Sequence, residues 1–599
     1  MARELKKRSE AAREYTWATE DLYASDELWR ADFEKAKTYL GVAEKYRGHL
    51  ADSAEALYDY LKGADELDIL LDSLSNYSSR KYDEDTTNAE YQAMNAQLMS
   101  FYSELLAAFS FVEPELVAVL EETYQKFFEE KPELKLYERE LQRILRKKEH
   151  TLSAGEEKLL AAAGEMGRVP SDVFSIMNNA DLRFPVVPDG EGGEIRLTHG
   201  NYIRLIENSD REVRRAAFEG LYSVYDQFKN TSAALLSGHV RKQVFYARQR
   251  KYGSAMEAAL YWNEIPVEVY KNLIRTVHDN MGLMHRYMAL RKKVLGVDEL
   301  HMYDIHTPLV SGADKKIPFE EAKKIVYDAL EPLGSEYRSH LKEGFENRWI
   351  DVYENEGKRS GAYSAGARKH PYVLLNYADN LDSVFTLAHE MGHALHSWYS
   401  NHTQPVIYSN YKIFVAEVAS TCNEALMMQH LLKNTGDEKE RAYLLNHAMD
   451  DFRTTLYRQT MFAEFEMMIH EMAERGEALT AEVLNKKYYE LNRQYFGKDV
   501  TVDPQIALEW SRIPHFYYNF YVYQYATGYS AAMALSARIL AEGESAVKDY
   551  IRFLSGGNSK DALSLLKLAG VDMSTPEPIE KALQVFAGYL DEMEKLAEK

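Results

Sequence analysis

Residues 389–393 read His-Glu-Met-Gly-His. Wound as an α-helix, this stretch puts His389 and His393 one turn apart on one face, with Glu390 beside them. Two imidazoles at that spacing can share one Zn²⁺, and the adjacent carboxylate can take a proton from a water that the ion polarises. The flanks read as a buried helix. Val384, Phe385, Leu387, Ala388, Met391, Leu395 and Trp398 supply its apolar positions, and Asp382 is placed to cap its start.

A third ligand has to come from elsewhere in the chain. His396 lies seven residues from His389, about 10 Å along a helix axis, too far to share one ion with the other two. The longer metzincin pattern also fails, because the third residue after His393 is His396 and not glycine. Glu417 is the better candidate. It stands in Phe-Val-Ala-Glu-Val-Ala-Ser-Thr-Cys-Asn-Glu (414–424), which reads as an apolar helix where a lone acid is costly unless paired or metal-bound. Glu424, seven residues on, has two readings. It can accept the spare ring N–H of a ligating histidine, or it can be a solvated carboxylate.

Two further stretches bear on the site. Ile-Pro-His-Phe-Tyr-Tyr-Asn-Phe-Tyr-Val-Tyr-Gln-Tyr-Ala-Thr-Gly-Tyr (513–529), read as a helix, brings His515, Tyr518, Tyr521, Tyr525 and Tyr529 onto a face about 120° wide. Aromatic stripes usually build cores, yet hydroxyls and an imidazole suit donors to an oxyanion and a peptide backbone better. Pro371-Tyr-Val-Leu-Leu-Asn-Tyr377 has strand-forming content, with its proline confined to an edge or a strand start. Through Tyr372 and Leu374 such a strand can pair with an extended peptide, or it can be an ordinary strand of a small sheet. Gly253-Ser-Ala-Met-Glu257 is similar to a motif that anchors amino termini in some zinc aminopeptidases. It lies more than 130 residues before His389 and is set aside.

The remainder of the chain sets the frame. At 599 residues it exceeds one compact core, so two or more lobes are expected. Proline is scarce, and stretches such as 55–75 and 101–120 carry apolar residues at helical intervals, so the fold is expected to be mainly α. Phe184–Thr198 reads as a β-hairpin turning at Pro-Asp-Gly-Glu-Gly-Gly (188–193), and Ser209 with Glu212 reads as a capping box that opens a new helix. A boundary near residue 200 follows. Residues 1–200 make an N-terminal helical lobe ending in the hairpin, and 201–599 a catalytic domain. The formal charge of −22 argues against nucleic acid and anionic membranes as partners. Cys422 is the only cysteine, the charged start is not a secretory signal, and no stretch approaches 18 apolar residues, so a cytoplasmic protein is expected.

His-Glu-Met-Gly-His, Glu417 placed 28 residues after His389, and the His-plus-tyrosine stretch at 515–529 together resemble the thimet oligopeptidase-like zinc peptidases. Within that group, Arg359-Ser-Gly-Ala-Tyr-Ser364, Pro371–Tyr377, Phe414–Glu424, Ile513–Gly528, Phe553-Leu-Ser-Gly-Gly557 and Ala569-Gly-Val-Asp572 are similar to the bacterial oligoendopeptidase F branch. The resemblance implies a zincin-like (gluzincin), two-lobed helical shell around a deep channel, with a small β-sheet beside the metal helix. It implies one Zn²⁺ per chain held by His389, His393 and Glu417, with Glu390 as general base. It further implies His515 and Tyr521 as catalytic donors, and Tyr518, Tyr525, Tyr372, Leu374, Gly361 and Ala362 as substrate contacts. The alignment of the tyrosines needs a one-residue insertion, and a third tyrosine of the thimet pattern meets Gly528. Oligopeptides are the implied substrates, cut at internal bonds; the oligomeric state stays open. A zinc carboxypeptidase or other exopeptidase on a similar scaffold is the alternative, and a non-catalytic peptide-binding protein a more distant one.

Overall fold

The computed structural model describes residues 5–310 and 316–598, and it is mainly α-helical with three small sheets. Strands β1 (Val186–Pro188) and β2 (Glu194–Arg196) form the antiparallel hairpin expected from sequence. Asp189 ties its turn by accepting the amides of Glu191 at 2.7 Å and Gly193 at 2.9 Å. Strand β3 (Leu300–His301) is followed by β4 (Ile350–Asp351), β5 (Tyr363–Ala365) and β6 (Tyr372–Leu374), which form one sheet in the order β4-β6-β5. Strand β7 (Val500–Thr501) returns to pair with β3 in parallel.

The helices that matter below are α1 (Ala54–Glu84), α2 (Ala89–Ala108), α3 (Arg211–Gln249), α4 (Leu381–Thr403), α5 (Ile413–Asn434), α6 (Arg458–Glu474) and α7 (Tyr523–Glu542). Ser53 caps α1 through the Ala56 amide, and Leu57, Leu61, Leu67, Leu70 and Leu71 bury the face that their spacing predicts. The run at 101–120 is not one helix. α2 stops at Ala108, and a second helix runs over Val112–Ala118. α3 starts one residue later than its sequence suggests. Asp210 is the cap, accepting the Glu212 amide at 2.9 Å, while the Ser209 carbonyl takes the Arg214 guanidinium. No helix among the described residues is long and apolar enough to cross a membrane.

The chain folds into two compact units, each gathered from three stretches. The first comprises Met1–Thr151, Asp314–Met427 and Leu535–Gly570; the second comprises Leu152–Ala313, Met428–Ala534 and Val571–Lys599. Residue 200, where the patterning changes, falls inside the second.

In the first unit, one core gathers Leu57, Leu61, Tyr124, Phe127 and Phe128, and another Trp29, Phe33, Leu71, Leu74 and Phe101. A smaller one seats Trp17 on Tyr372 and Leu374, with the indole N–H donating to the Val373 carbonyl at 2.7 Å. The buried Asp351 carboxylate ends β4 and receives Lys358 Nζ at 2.7 Å and Arg8. The buried Lys358 and the half-buried Arg8 can share this anion because Lys358 also donates to the carbonyls of Tyr353 and Leu375, and Arg8 also pairs with Glu84 at 2.9 Å. The sheet and α4 pack together, so the small sheet lies beside the helix that carries His389 and His393.

Candidate metal centre

α4 is capped by Asn380, not Asp382. The Asn380 side chain accepts the Ser383 amide at 2.8 Å, and Asp382 falls in the first turn, where its charge favours the helix dipole. Val384, Phe385, Leu387, Ala388, Met391 and Leu395 are buried as their spacing predicts. The opposite side of this turn carries His389 and His393, whose ring centroids are 4.8 Å apart at 82°.

Glu417 on α5 faces both imidazoles. Its Oε2 lies 3.4 Å from His389 Nε2 and 3.4 Å from His393 Nε2, and one ligand atom from each residue falls within 4.8 Å of the others. Gly392 allows this approach. A Cβ there would sit 2.5 Å from Ser420 Cα, 2.7 Å from the Ala419 carbonyl oxygen and 2.8 Å from the Ser420 amide, so the two helices touch backbone to backbone. Ser420 Oγ donates to the Glu417 carbonyl at 3.0 Å and reaches its Oε2 at 3.2 Å. One turn on, Asn423 donates to the Ala388 carbonyl at 3.1 Å and accepts the Tyr337 hydroxyl at 3.0 Å. Glu424 completes that face, with Oε2 3.3 Å from His389 Nδ1. Of its two sequence readings, the contact with the histidine is the one in the structure. Gly392, Ser420 and Asn423 escape sequence reasoning, although Glu417, Ser420 and Glu424 share one polar stripe of α5.

The consequence for Gly392 can be measured. Gly392→Ala drives a methyl into immovable backbone, so it should destabilise the protein by about 1–3 kcal/mol and weaken metal binding as α5 is pushed away. Thermal denaturation and metal titration check this. Wild-type affinity in the variant would mean that Glu417 does not depend on the contact.

The charges of these residues act strongly on one another. Burial alone would lower the pKa of His389, but Glu417, Glu424 and Glu390 around it raise it to about 10. Burial would raise Glu417, and the two imidazoles outweigh that and hold it well below the usual carboxylate range. Glu390 is buried, which pushes its carboxyl upward against the pull of both histidines, and its Oε2 meets no hydrogen-bond partner among the described residues. Two imidazole nitrogens and a carboxylate oxygen converging, with a carboxylate behind one ring, match the donor set and outer support of a zinc site. His396, by contrast, is fully buried and stacked on Tyr411 at 3.8 Å, and burial pushes its pKa down to about 3. It is a neutral core residue, as its spacing predicts.

The strand at 372–374 differs from expectation. It is the central strand of its sheet, with β4 parallel on one side and β5 antiparallel on the other. Tyr372 and Leu374 are 0% exposed, and the Tyr372 hydroxyl donates to the Ala18 carbonyl. Neither edge nor side chain is open to a substrate, so both residues are corrected to structural roles. The free edge of this sheet beside α4 belongs to β5, which follows Gly361 and Ala362 directly. Both of these residues are exposed. Gly361 has φ +84°, a left-handed backbone suited to glycine, and Asn376 pins it by donating to the carbonyls of Arg359 and Gly361.

The tyrosine stretch, in the second unit, is not one helix. A 3₁₀ segment ends at Arg512, another spans Pro514–Tyr517, and α7 starts only at Tyr523. Between them Asn519 and Phe520 adopt φ of 55° and 56°. Asparagine adopts left-handed backbone readily, whereas at Phe520 it costs roughly 1–2 kcal/mol. The rings gather all the same. His515 lies 5.5 Å from Tyr518, 6.4 Å from Tyr521 and 5.8 Å from Tyr525, and Tyr521 and Tyr525 are 5.5 Å apart. Tyr518 is 57% exposed, while burial and the charge of Arg458 lower the pKa of His515. Tyr529 leaves the group and packs edge-on against Phe452 in the core.

Comparison with known proteins bears on both groups of residues. A model of peptidase family M3 matches residues 204–585, and a model described as Oligopeptidase F matches residues 115–184. Oligopeptidase PepF of Bacillus subtilis is 52% identical over 599 residues, covering 100% of this chain and 89% of its own. Group B oligopeptidase PepB of Streptococcus agalactiae is 43% identical over 593 residues, covering 99% of this chain and 98% of its own. The crystal structure of oligoendopeptidase-F from Enterococcus faecium superposes with a TM-score of 0.75 at 39% identity, covering 96% of this chain and 99% of that one.

Proposed function

The chain belongs to peptidase family M3 and is a metalloendopeptidase, and on that premise we propose that it cuts internal bonds of short oligopeptides at a zinc site built from His389, His393 and Glu417. The convergence of these three donors on one point, next to a buried Glu390 whose Oε2 has no hydrogen-bond partner among the described residues, carries the reading.

Zinc held there would acidify a water and polarise the scissile carbonyl. Glu390 is the general base. Its carboxyl is pushed upward by burial, which strengthens it as a proton acceptor, and it takes the proton of the attacking water and passes it to the leaving amine. Glu424 accepts the Nδ1 proton of His389 and so turns Nε2 towards Glu417. His515 and Tyr521 are the proposed donors to the oxyanion that forms on the substrate, with Tyr518 and Tyr525 as further contacts. The peptide backbone pairs with the outer edge of β5, entering over Gly361 and Ala362, because β6 has both edges taken.

The test is an internally quenched peptide blocked at both ends, incubated with and without a chelator, its products mapped by mass. Cleavage at an internal bond that the chelator abolishes is the expected result. Intact blocked peptide, with trimming of the unblocked one, would replace this reading by an exopeptidase.

A further inference from the structure

The turn at Tyr518–Val522 holds two consecutive non-glycine residues in left-handed backbone, and it carries Tyr518 and Tyr521 between His515 and Tyr525. Asn519 tolerates this backbone, but for the bulky Phe520 it is unfavourable, so something outside the turn must hold Phe520 there. The Phe520 amide donates to Glu466 Oε1 at 2.7 Å, reaching across from the middle of α6. The Phe520 ring is buried against His470, at 4.5 Å, and Tyr270, at 5.7 Å. His470 Nδ1 in turn contacts the Glu466 carbonyl at 2.8 Å.

Glu466 is an odd residue for this position. It is 0% exposed, no cation pairs with it, and its second oxygen meets no partner among the described residues. Burial pushes its carboxyl up to about 8, so at neutral pH it is largely an uncharged acid. For packing alone a methionine or leucine would serve a dry core better. What the carboxyl supplies and those residues cannot is one acceptor, aimed at the amide of a strained residue.

We propose that Glu466 is a positioning residue, whose hydrogen bond to the Phe520 amide sets the turn that aims Tyr518 and Tyr521. The inference rests on the roles proposed above for His515 and Tyr521, and it adds a residue on a distant helix on which those roles depend. It touches neither substrate nor metal. Its contribution is geometric, and a displacement of about 1 Å in a donor can cost on the order of 10²-fold in rate.

The experiment compares Glu466→Gln, Glu466→Met and Tyr521→Phe in the metal-loaded enzyme. It reads kcat, KM and hydrogen exchange of the segment 516–524. Glu466→Gln keeps an acceptor for the Phe520 amide and copies the neutral acid, so kcat should stay within about threefold of wild type. Glu466→Met fills the same volume without an acceptor. Its kcat should fall about 10²-fold with KM little changed, and exchange in the segment should rise. A folded Glu466→Met enzyme with wild-type kcat, or a Glu466→Gln enzyme as slow as Glu466→Met, would overturn the inference. Tyr521→Phe with wild-type kcat would instead overturn the tyrosine's role, and the exchange data would still report whether Glu466 holds the turn. Should Glu466→Met fold poorly, Asn519→Gly in the same chain removes part of the left-handed strain and should restore about tenfold in kcat. No recovery in the folded double variant would count against the proposal.

Discussion

Glu390→Gln leaves a protein that folds, binds its metal and hydrolyses peptides about 10²–10⁴-fold more slowly. The substitution keeps size and shape at a buried site, and Glu390 is not among the three residues whose donor atoms converge. Metal content should therefore match wild type. What disappears is basicity, because an amide cannot accept a proton from the attacking water or return one to the leaving amine. The loss should fall on kcat and on kcat/KM alike, since proton transfer belongs to the transition state and not to ground-state binding. Steady-state kinetics with a metal assay on the same sample decide the matter. A variant with normal metal and near-normal kcat would remove Glu390 from the mechanism.

Glu417→Ala acts on the metal instead. Glu417 contacts both histidine Nε2 atoms, and alanine leaves two imidazoles without this anionic ligand. Losing an outer partner of a ligand typically costs 10–100-fold in affinity, and losing the ligand itself should cost more. After dialysis the variant should retain little zinc, and activity should return only at high added metal. The fold should survive, because α5 remains held by the Gly392–Ser420 contact and the Asn423 hydrogen bonds. Full metal occupancy after dialysis would show that the third ligand is another residue.

The parts of this protein legible in sequence are those governed by local periodicity. The apolar spacing from Val384 to Leu395 is a property of neighbours in the chain, and the helix it predicts is present with the same residues buried. The same argument excluded His396 by rise per residue, and it is a stacked core histidine. The Asp189 turn and the β1–β2 hairpin follow from turn chemistry alone. Periodicity failed where long-range contacts overrode it. The stretch 513–529 looks continuous by spacing, yet Glu466, about 50 residues away in the chain, holds a turn inside it. Strand content at 372–374 was read correctly, but whether a strand has a free edge depends on its partners, and β4 and β5 take both sides.

By its sequence alone this chain determined a mainly helical fold and the pairing of His389 with His393, since one helical turn is enough to set their spacing. Which acid joins them is a matter of tertiary packing. Glu417 reaches both imidazoles because Gly392 has no side chain and lets α4 and α5 meet at their backbones, a distance that no pattern along the chain encodes.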